Sequence, residues 1–198
     1  MIIGICGLIG AGKDTAADYL VNFHGFRRDS FASSLKDAVA AVFGWDRELL
    51  EGRTKHAREW REQIDSWWSQ RLNMPDLTPR LVLQLWGTEV CRQGFHDDVW
   101  IASLENRLRK QQDNIVISDC RFPNEITAIR NAGGRVIRIV RGPDPEWFVT
   151  ARYYPEKMKL AWPDIHASEY SWATTNFDSV IENNGSIDEL YAQLKNLV

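Results

Sequence analysis

The stretch that most restricts the fold is MIIGICGLIGAGKDTAADYL, residues 1–20. Met1 to Gly7 form a short β-rich run ending in glycine, the pattern of a buried strand. The spacing Gly7-x4-Gly12-Lys13 follows at once, and Ala16, Leu20 and Phe23 then recur at helical spacing until Gly25. A glycine loop between a strand and a helix is the setting of a phosphate cradle. Glycines let backbone N–H groups converge on phosphate oxygens without Cβ clashes. The helix N-terminus adds positive potential, and Lys13 adds a mobile full charge.

Asp14 stands where most such loops have serine or threonine, which moves the hydroxyl to Thr15. The nucleotide-binding set is therefore Gly10, Ala11, Gly12, Lys13, Asp14 and Thr15, with Thr15 the better candidate to touch a phosphate or a magnesium ion. The Asp14 carboxylate would repel phosphate. It is expected to point away as an acid at the helix N-terminus, where the helix dipole favours it.

Further along, FRRDSF reads as a second short strand, and Ser34 with Asp37 resembles a capping box opening a helix that ends at Gly44. Residues 45–79 form a charged, tryptophan-rich insertion in which Trp60, Ile64, Trp67 and Trp68 share a helical face. Thr78-Pro79 starts another helix with Val82, Leu85, Trp86 and Val90 inward, and Asp97 or Asp98 caps the next. NIVISD and RVIRIVR are strands joined by the helix PNEITAIRNAGG, which implies a crossover and parallel pairing. Residues 142–173 contain four prolines and no clear period, and read as a long functional loop or a small lid. A strand, a turn and a helix capped by Ser186 and Glu189 close the pattern. The expected fold is α/β: one three-layer, parallel-sheet P-loop domain over 1–198, with a helical acceptor-binding insertion at 45–79 and a lid at 142–173.

With 198 residues, 44% of them hydrophobic, such a domain can bury a sizeable core. A net charge of −3 gives no basic footprint, so nucleic-acid binding is not expected. Three cysteines without metal-type spacing, and no signal peptide or membrane-length apolar run, suit a reduced cytoplasmic protein away from membranes. A monomer and a homodimer are equally compatible with the sequence.

The Asn-Lys-x-Asp motif by which regulatory GTPases read guanine does not occur. A short P-loop domain with two insertions instead follows the plan of nucleoside monophosphate kinases. AGKDTAADYL, SSLKDAVA, PRLVLQLWGTEVCRQGFHDDVWIASL, IVISDCRFPNEITAIRNAGGRVIRIVR, DIHASEYS and VIENNGSIDELYAQL run in one order from Gly7 to Leu194. In this the chain resembles the phage deoxynucleoside monophosphate kinases. The resemblance is weakest at 45–79 and 142–165. It implies transfer of phosphate from ATP, with Mg²⁺, to a deoxynucleoside monophosphate, in host cytoplasm if the source is viral. Two rivals are a kinase of another small acceptor such as dephospho-coenzyme A, and a P-loop ATP-binding regulatory protein that transfers nothing.

Asp119, at the tip of its strand, is placed to hold magnesium-bound water or an acceptor group, or else is a strand-end turn acid. The resemblance puts Asp119 and Arg121 on the substrate side. It also matches Lys36 and Asp37 to the family's KDA and Gly87-Thr88 to its QxxGT helix, although a solvated, capped helix end accounts for the first pair as well. Arg80 and Gln84, one helical turn apart, suit an acceptor phosphate and a base edge. Trp100 suits base stacking or the core. Phosphoryl transfer calls for a lid arginine on the transferred group, for which Arg141 and Arg152 are candidates alongside Lys157 and Lys159. His166, Ser168 and Glu169 match the family's HxSE and are candidates to anchor the lid. Asn183 and Asn184 either border the adenine, with Asn184 the nominated contact, or form a plain turn.

Overall fold

The computed structural model describes residues 1–110 and 113–198. Its elements in chain order are β1 (Ile2–Cys6), α1 (Lys13–His24), β2 (Arg27–Asp29), α2 (Ser33–Phe43), α3 (Arg47–Glu51), α4 (Lys55–Arg61), α5 (Ser66–Leu72) and α6 (Pro79–Leu85). A π-helical stretch, Trp86–Gln93, precedes α7 (Val99–Leu108), β3 (Ile115–Ile117), α8 (Pro123–Asn131) and β4 (Arg135–Val140). Then come α9 (Trp147–Tyr153), α10 (Met158–Ala161), α11 (Ala167–Tyr170), β5 (Ser179–Glu182) and α12 (Ile187–Lys195). The chain divides into two compact units, residues 1–31 with 104–198, and residues 32–103.

In the first unit the described strands form one five-stranded sheet in the order β2-β3-β1-β4-β5, every pair parallel. β1 is central, which is why Ile3 to Cys6 are buried without alternation, as in a strand covered on both faces. One face carries α1 and α12: Ala16, Ala17, Leu20, Leu190 and Leu194 join Ile3, Ile5, Val116, Ile137 and Ile139 in a single apolar cluster. On the other face, a Cβ on Gly4 would lie 2.5 Å from Cδ1 of Ile129, so the glycine lets α8 approach. Those are the three layers. The two strands expected to pair with each other, β3 and β4, do not, because β1 lies between them, with Ile3 opposite Val116 on one side and Arg135 on the other.

Local signals hold best where a glycine or a cap ends an element. Gly25 and Gly44 stop α1 and α2 in the left-handed conformation, and Ser186 and Glu189 form the capping box of α12. The expected box at Ser34 does not form. α2 begins at Ser33, and the Ser34 hydroxyl instead bonds Ser103 Oγ at 2.7 Å. Phe23, which continues the helical spacing of Ala16 and Leu20, is exposed, while those two are buried. Residues 142–173 are largely helical in short pieces, α9 to α11, too brief for a periodic pattern to register.

The second unit packs α2, Leu50, Leu77 and Val82 with the rings of Trp45, Trp60, Trp68, Trp86 and Trp100. Short helices bury little each, and large rings supply the missing apolar area. Here the single helical face expected of the 45–79 insertion fails. Asp65 breaks the run by capping α5 and accepts the Trp45 ring N–H at 2.8 Å, which leaves Ile64 and Trp67 exposed. Val90, in the π-helical stretch, is exposed as well.

Candidate active site

β1 delivers the loop at the carboxyl edge of the sheet, where parallel α/β folds hold their ligands. Gly12 caps α1 at φ +100°, and a Cβ there would lie 2.4 Å from Nδ2 of Asn183. That nitrogen donates to the Ala11 carbonyl at 2.9 Å. A Cβ on Gly10, φ +79°, would meet no described atom within 4 Å, so the loop has open space over it. The Lys13 ammonium donates to the carbonyls of Gly7 and Leu8, each at 2.8 Å. Burial pulls its pKa down from 10.5 to about 8, the Arg121 charge works the same way, and Asp14, Glu169 and Cys6 oppose them. A desolvated lysine beside the open space over Gly10 fits an incoming polyphosphate. The Asp14 carboxylate points aside as expected, accepting from Arg28 at 3.4 Å and the Ser118 hydroxyl at 3.2 Å. Thr15, half-buried in the first turn of α1, offers a hard oxygen of the kind Mg²⁺ takes.

The Lys13 shift has a measurable consequence. An anion at the loop restores the lysine's proton, so between about pH 8 and 10.5 nucleotide binding should take up protons, and affinity should fall as pH rises. Calorimetry in buffers of different ionisation enthalpy should give uptake near pH 9 and much less at pH 7. Lys13→Ala should abolish the difference.

Asp119 leaves β3 with its carboxylate engaged. Oδ2 accepts from the Ser30 hydroxyl at 2.7 Å and Oδ1 from the Phe31 amide at 3.2 Å, an arrangement a strand-end anchor shares with a metal-ligating acid. The Arg121 guanidinium, 3.1 Å from Glu169, stands within the electrostatic reach of Lys13. Arg141 is exposed. Arg152, expected over the transferred phosphate, is instead tied to the carbonyls of Ala173 at 2.8 Å and Thr175 at 3.0 Å, pinning α9 to the turn before β5. Of the two asparagines, Asn183 touches the loop, and the nominated Asn184 accepts from the Gly142 amide at 2.7 Å. The deciding signal lies in the turn after β5, where sequence alone does not say which side chain turns inward.

The remaining candidates lie in the second unit. Lys36 bonds Glu51 at 2.7 Å, while Arg47 bridges Asp37 at 2.6 Å and Glu51 at 2.5 Å. Arg80 pairs with Glu62 at 3.1 Å, and Gln84 is half-buried on the same helix. Gly87 and Thr88 are buried in the π-helical stretch, where a Cβ on Gly87 would lie 2.9 Å from Leu35. Trp100 gives its ring N–H to the Gly87 carbonyl at 2.9 Å and packs in this unit's core, in keeping with a structural tryptophan. Two residues escaped the sequence reading. Arg92 is buried, with Nη1 on the Asp97 carbonyl at 2.8 Å. Glu51 is the other, detectable only as the i+4 partner of Arg47.

Burial tends to raise the Glu51 pKa, but Lys36 and Arg47 overcome it and hold the group at about 2. A depressed carboxylate stabilises the fold above its unfolded value of 4.5, and that contribution is lost as pH falls toward 2. Glu51→Gln should therefore lower stability at pH 7 by about 2 kcal/mol. In urea titrations the gap from the parent should narrow between pH 4.5 and 2. A gap independent of pH contradicts the ion-pair account.

A parallel sheet with a strand, glycine loop and helix at its centre, and a lysine folded onto that loop, defines an α/β P-loop protein. A family model described as deoxynucleotide monophosphate kinase matches residues 55–194. A protein of Acanthamoeba polyphaga mimivirus bearing that family's name is 31% identical over 98% of this chain and 94% of its own length. The deoxynucleoside-5'-monophosphate kinase of Escherichia phage T5 is 28% identical, covering 66% of this chain and 72% of its own. For the deoxynucleotide monophosphate kinase of Enterobacteria phage T4 the identity is 21%, over 98% and 97% respectively. The chain belongs to the deoxynucleotide monophosphate kinase family and is a phosphotransferase. No helix among the described residues is long and apolar enough to cross a membrane.

Proposed function

We propose that the protein phosphorylates deoxynucleoside 5'-monophosphates at the expense of ATP, with Mg²⁺ bound to the donor. The observation that carries this reading is the charge cluster of Lys13 and Arg121 beside a glycine loop with open space over Gly10, in a chain of this family. The whole chain acts as one P-loop kinase domain, with 45–79 serving the acceptor and 142–173 the lid, in the cytoplasm and without nucleic acid.

The acceptor is already a nucleophile, because a phosphate monoester is largely dianionic near neutral pH; no side chain need act as its base. Catalysis is alignment and charge neutralisation. The loop amides and Lys13 hold the β- and γ-phosphates of ATP, and Arg121 lies against the charge that develops on the transferred group. Thr15 and Asp119 are the oxygen donors that would hold Mg²⁺, which neutralises phosphate charge when bound. Lys36, Asp37, Arg80, Gln84, Gly87 and Thr88 serve the acceptor. Since Arg152 is tied to two carbonyls, Arg141 is the better of the two lid arginines.

A panel of ribo- and deoxyribonucleoside monophosphates incubated with ATP and Mg²⁺ tests the reading. Release of ADP should depend on the acceptor and favour the deoxy member of each pair. Equal rates within every pair would remove the deoxy preference, and acceptor-independent release would remove the kinase assignment.

A further inference from the structure

We infer that Glu169 is a positioning residue for Arg121: through it, the turn from His166 to Glu169 sets where the guanidinium stands beside the P-loop lysine. The inference rests on the function proposed above and names one further residue of that site.

The backbone of Arg121 is fixed independently of its side chain. The amides of Arg121 and Phe122 donate to Oε2 of Glu125 at 2.7 and 3.1 Å, and Glu125 is buried. That leaves the long side chain of Arg121 to be oriented by something else. Its bonds to described residues all run through Nη1, to Oε1 of Glu169 at 3.1 Å, the Ser168 carbonyl at 3.4 Å and the Ser168 hydroxyl at 3.5 Å. The Nε and Nη2 edge is thereby kept for an anion, which a planar guanidinium grips with paired donors.

The turn that supplies these acceptors is itself rigid. Nδ1 of His166 lies 2.8 Å from the Ser168 hydroxyl and accepts the Ser168 amide at 3.2 Å. The Glu169 carbonyl accepts the ring N–H of the buried Trp172 at 2.9 Å. Glu169 is the better buried partner of its ion pair, with a side chain 19% exposed against 44% for Arg121.

Charge explains why a carboxylate is needed there. The groups acting on the Lys13 ammonium are Arg121, which opposes its charge, and Asp14, Glu169 and Cys6, which favour it. Glu169 faces both cations, so it offsets the repulsion that would otherwise drive the mobile arginine away from a desolvated lysine. An arriving phosphate then finds both cations in place.

A double-mutant cycle with Glu169→Gln and Arg121→Ala tests this. Glu169→Gln alone should lower kcat by about 10- to 100-fold, with both KM values changing far less. On top of Arg121→Ala the same change should lower kcat by less than about twofold, since nothing remains to be positioned. A second readout needs no turnover. Affinity for ADP with aluminium fluoride, a mimic of the phosphoryl group in transfer, should fall about 10- to 100-fold in Glu169→Gln. On top of Arg121→Ala the same change should cost less than about twofold. A purely structural staple would weaken binding equally in both backgrounds. Additive losses in either cycle would overturn the inference. Should Glu169→Gln not fold, Glu169→Asp replaces it in the cycle, its carboxylate one methylene short. If the parent protein transfers phosphate to no monophosphate, the proposed function fails, and the binding cycle still decides the role of Glu169.

Discussion

Lys13→Ala should lower the turnover of deoxynucleoside monophosphates by on the order of 10²–10³-fold, the usual consequence of removing one preorganised donor from developing charge. The fold should not suffer. In the folded state the ammonium is held by two loop carbonyls and is desolvated enough to titrate near 8 rather than 10.5. Since the unfolded chain binds that proton more tightly, Lys13 works against folding at neutral pH, and its removal should leave the melting temperature unchanged or slightly higher. Loss of activity with retained stability is the signature of a group kept for its ligand. A mutant turning over near the parent rate would show that the loop is not where the donor phosphates lie.

The second large effect is expected from Gly12→Ala. At φ +100° an L side chain is strained, and its Cβ would land 2.4 Å from the Asn183 nitrogen that holds the Ala11 carbonyl. Relieving the clash means breaking that bond or rotating the loop, at a loss of about 1–3 kcal/mol in stability. If the distortion stays within the loop, the same energy appears as nucleotide affinity weaker by about 10- to 100-fold. Urea unfolding and titration with a fluorescent ATP analogue separate the two. Parent-like values in both would mean that the strained geometry is not needed. Asn183→Ala should reproduce the affinity loss more mildly, because the glycine then keeps its own conformation.

What could be read from the residues follows the range of the interaction that decides each feature. The cradle from Gly7 to Lys13, the glycine stops at 25 and 44 and the box at Ser186 are written within a few residues, and the structure has them where the sequence puts them. Strand order depends on contacts far apart in the chain, and nothing local in NIVISD or RVIRIVR says that β1 separates them. Trp100 reads from the sequence as an aromatic on a helix, and its bond to the Gly87 carbonyl 2.9 Å away is a contact no local pattern marks. Arg152 has the charge and the segment of a lid arginine, yet what occupies it is two carbonyls more than twenty residues downstream. Glu51 draws its character from Lys36, fifteen residues earlier, a pairing that no periodic pattern marks. The helices α9 to α11 escaped for a related reason: each is held by packing, and four to seven residues carry too little period to be seen.

The most direct measurement follows the phosphate itself. With ATP labelled in the γ-phosphate, Mg²⁺ and a deoxynucleoside monophosphate, the label should appear in the deoxynucleoside diphosphate in step with ADP, and Lys13→Ala should leave it in ATP. Label released only as inorganic phosphate, at a rate indifferent to the acceptor, would contradict the assignment of this chain as a working monophosphate kinase.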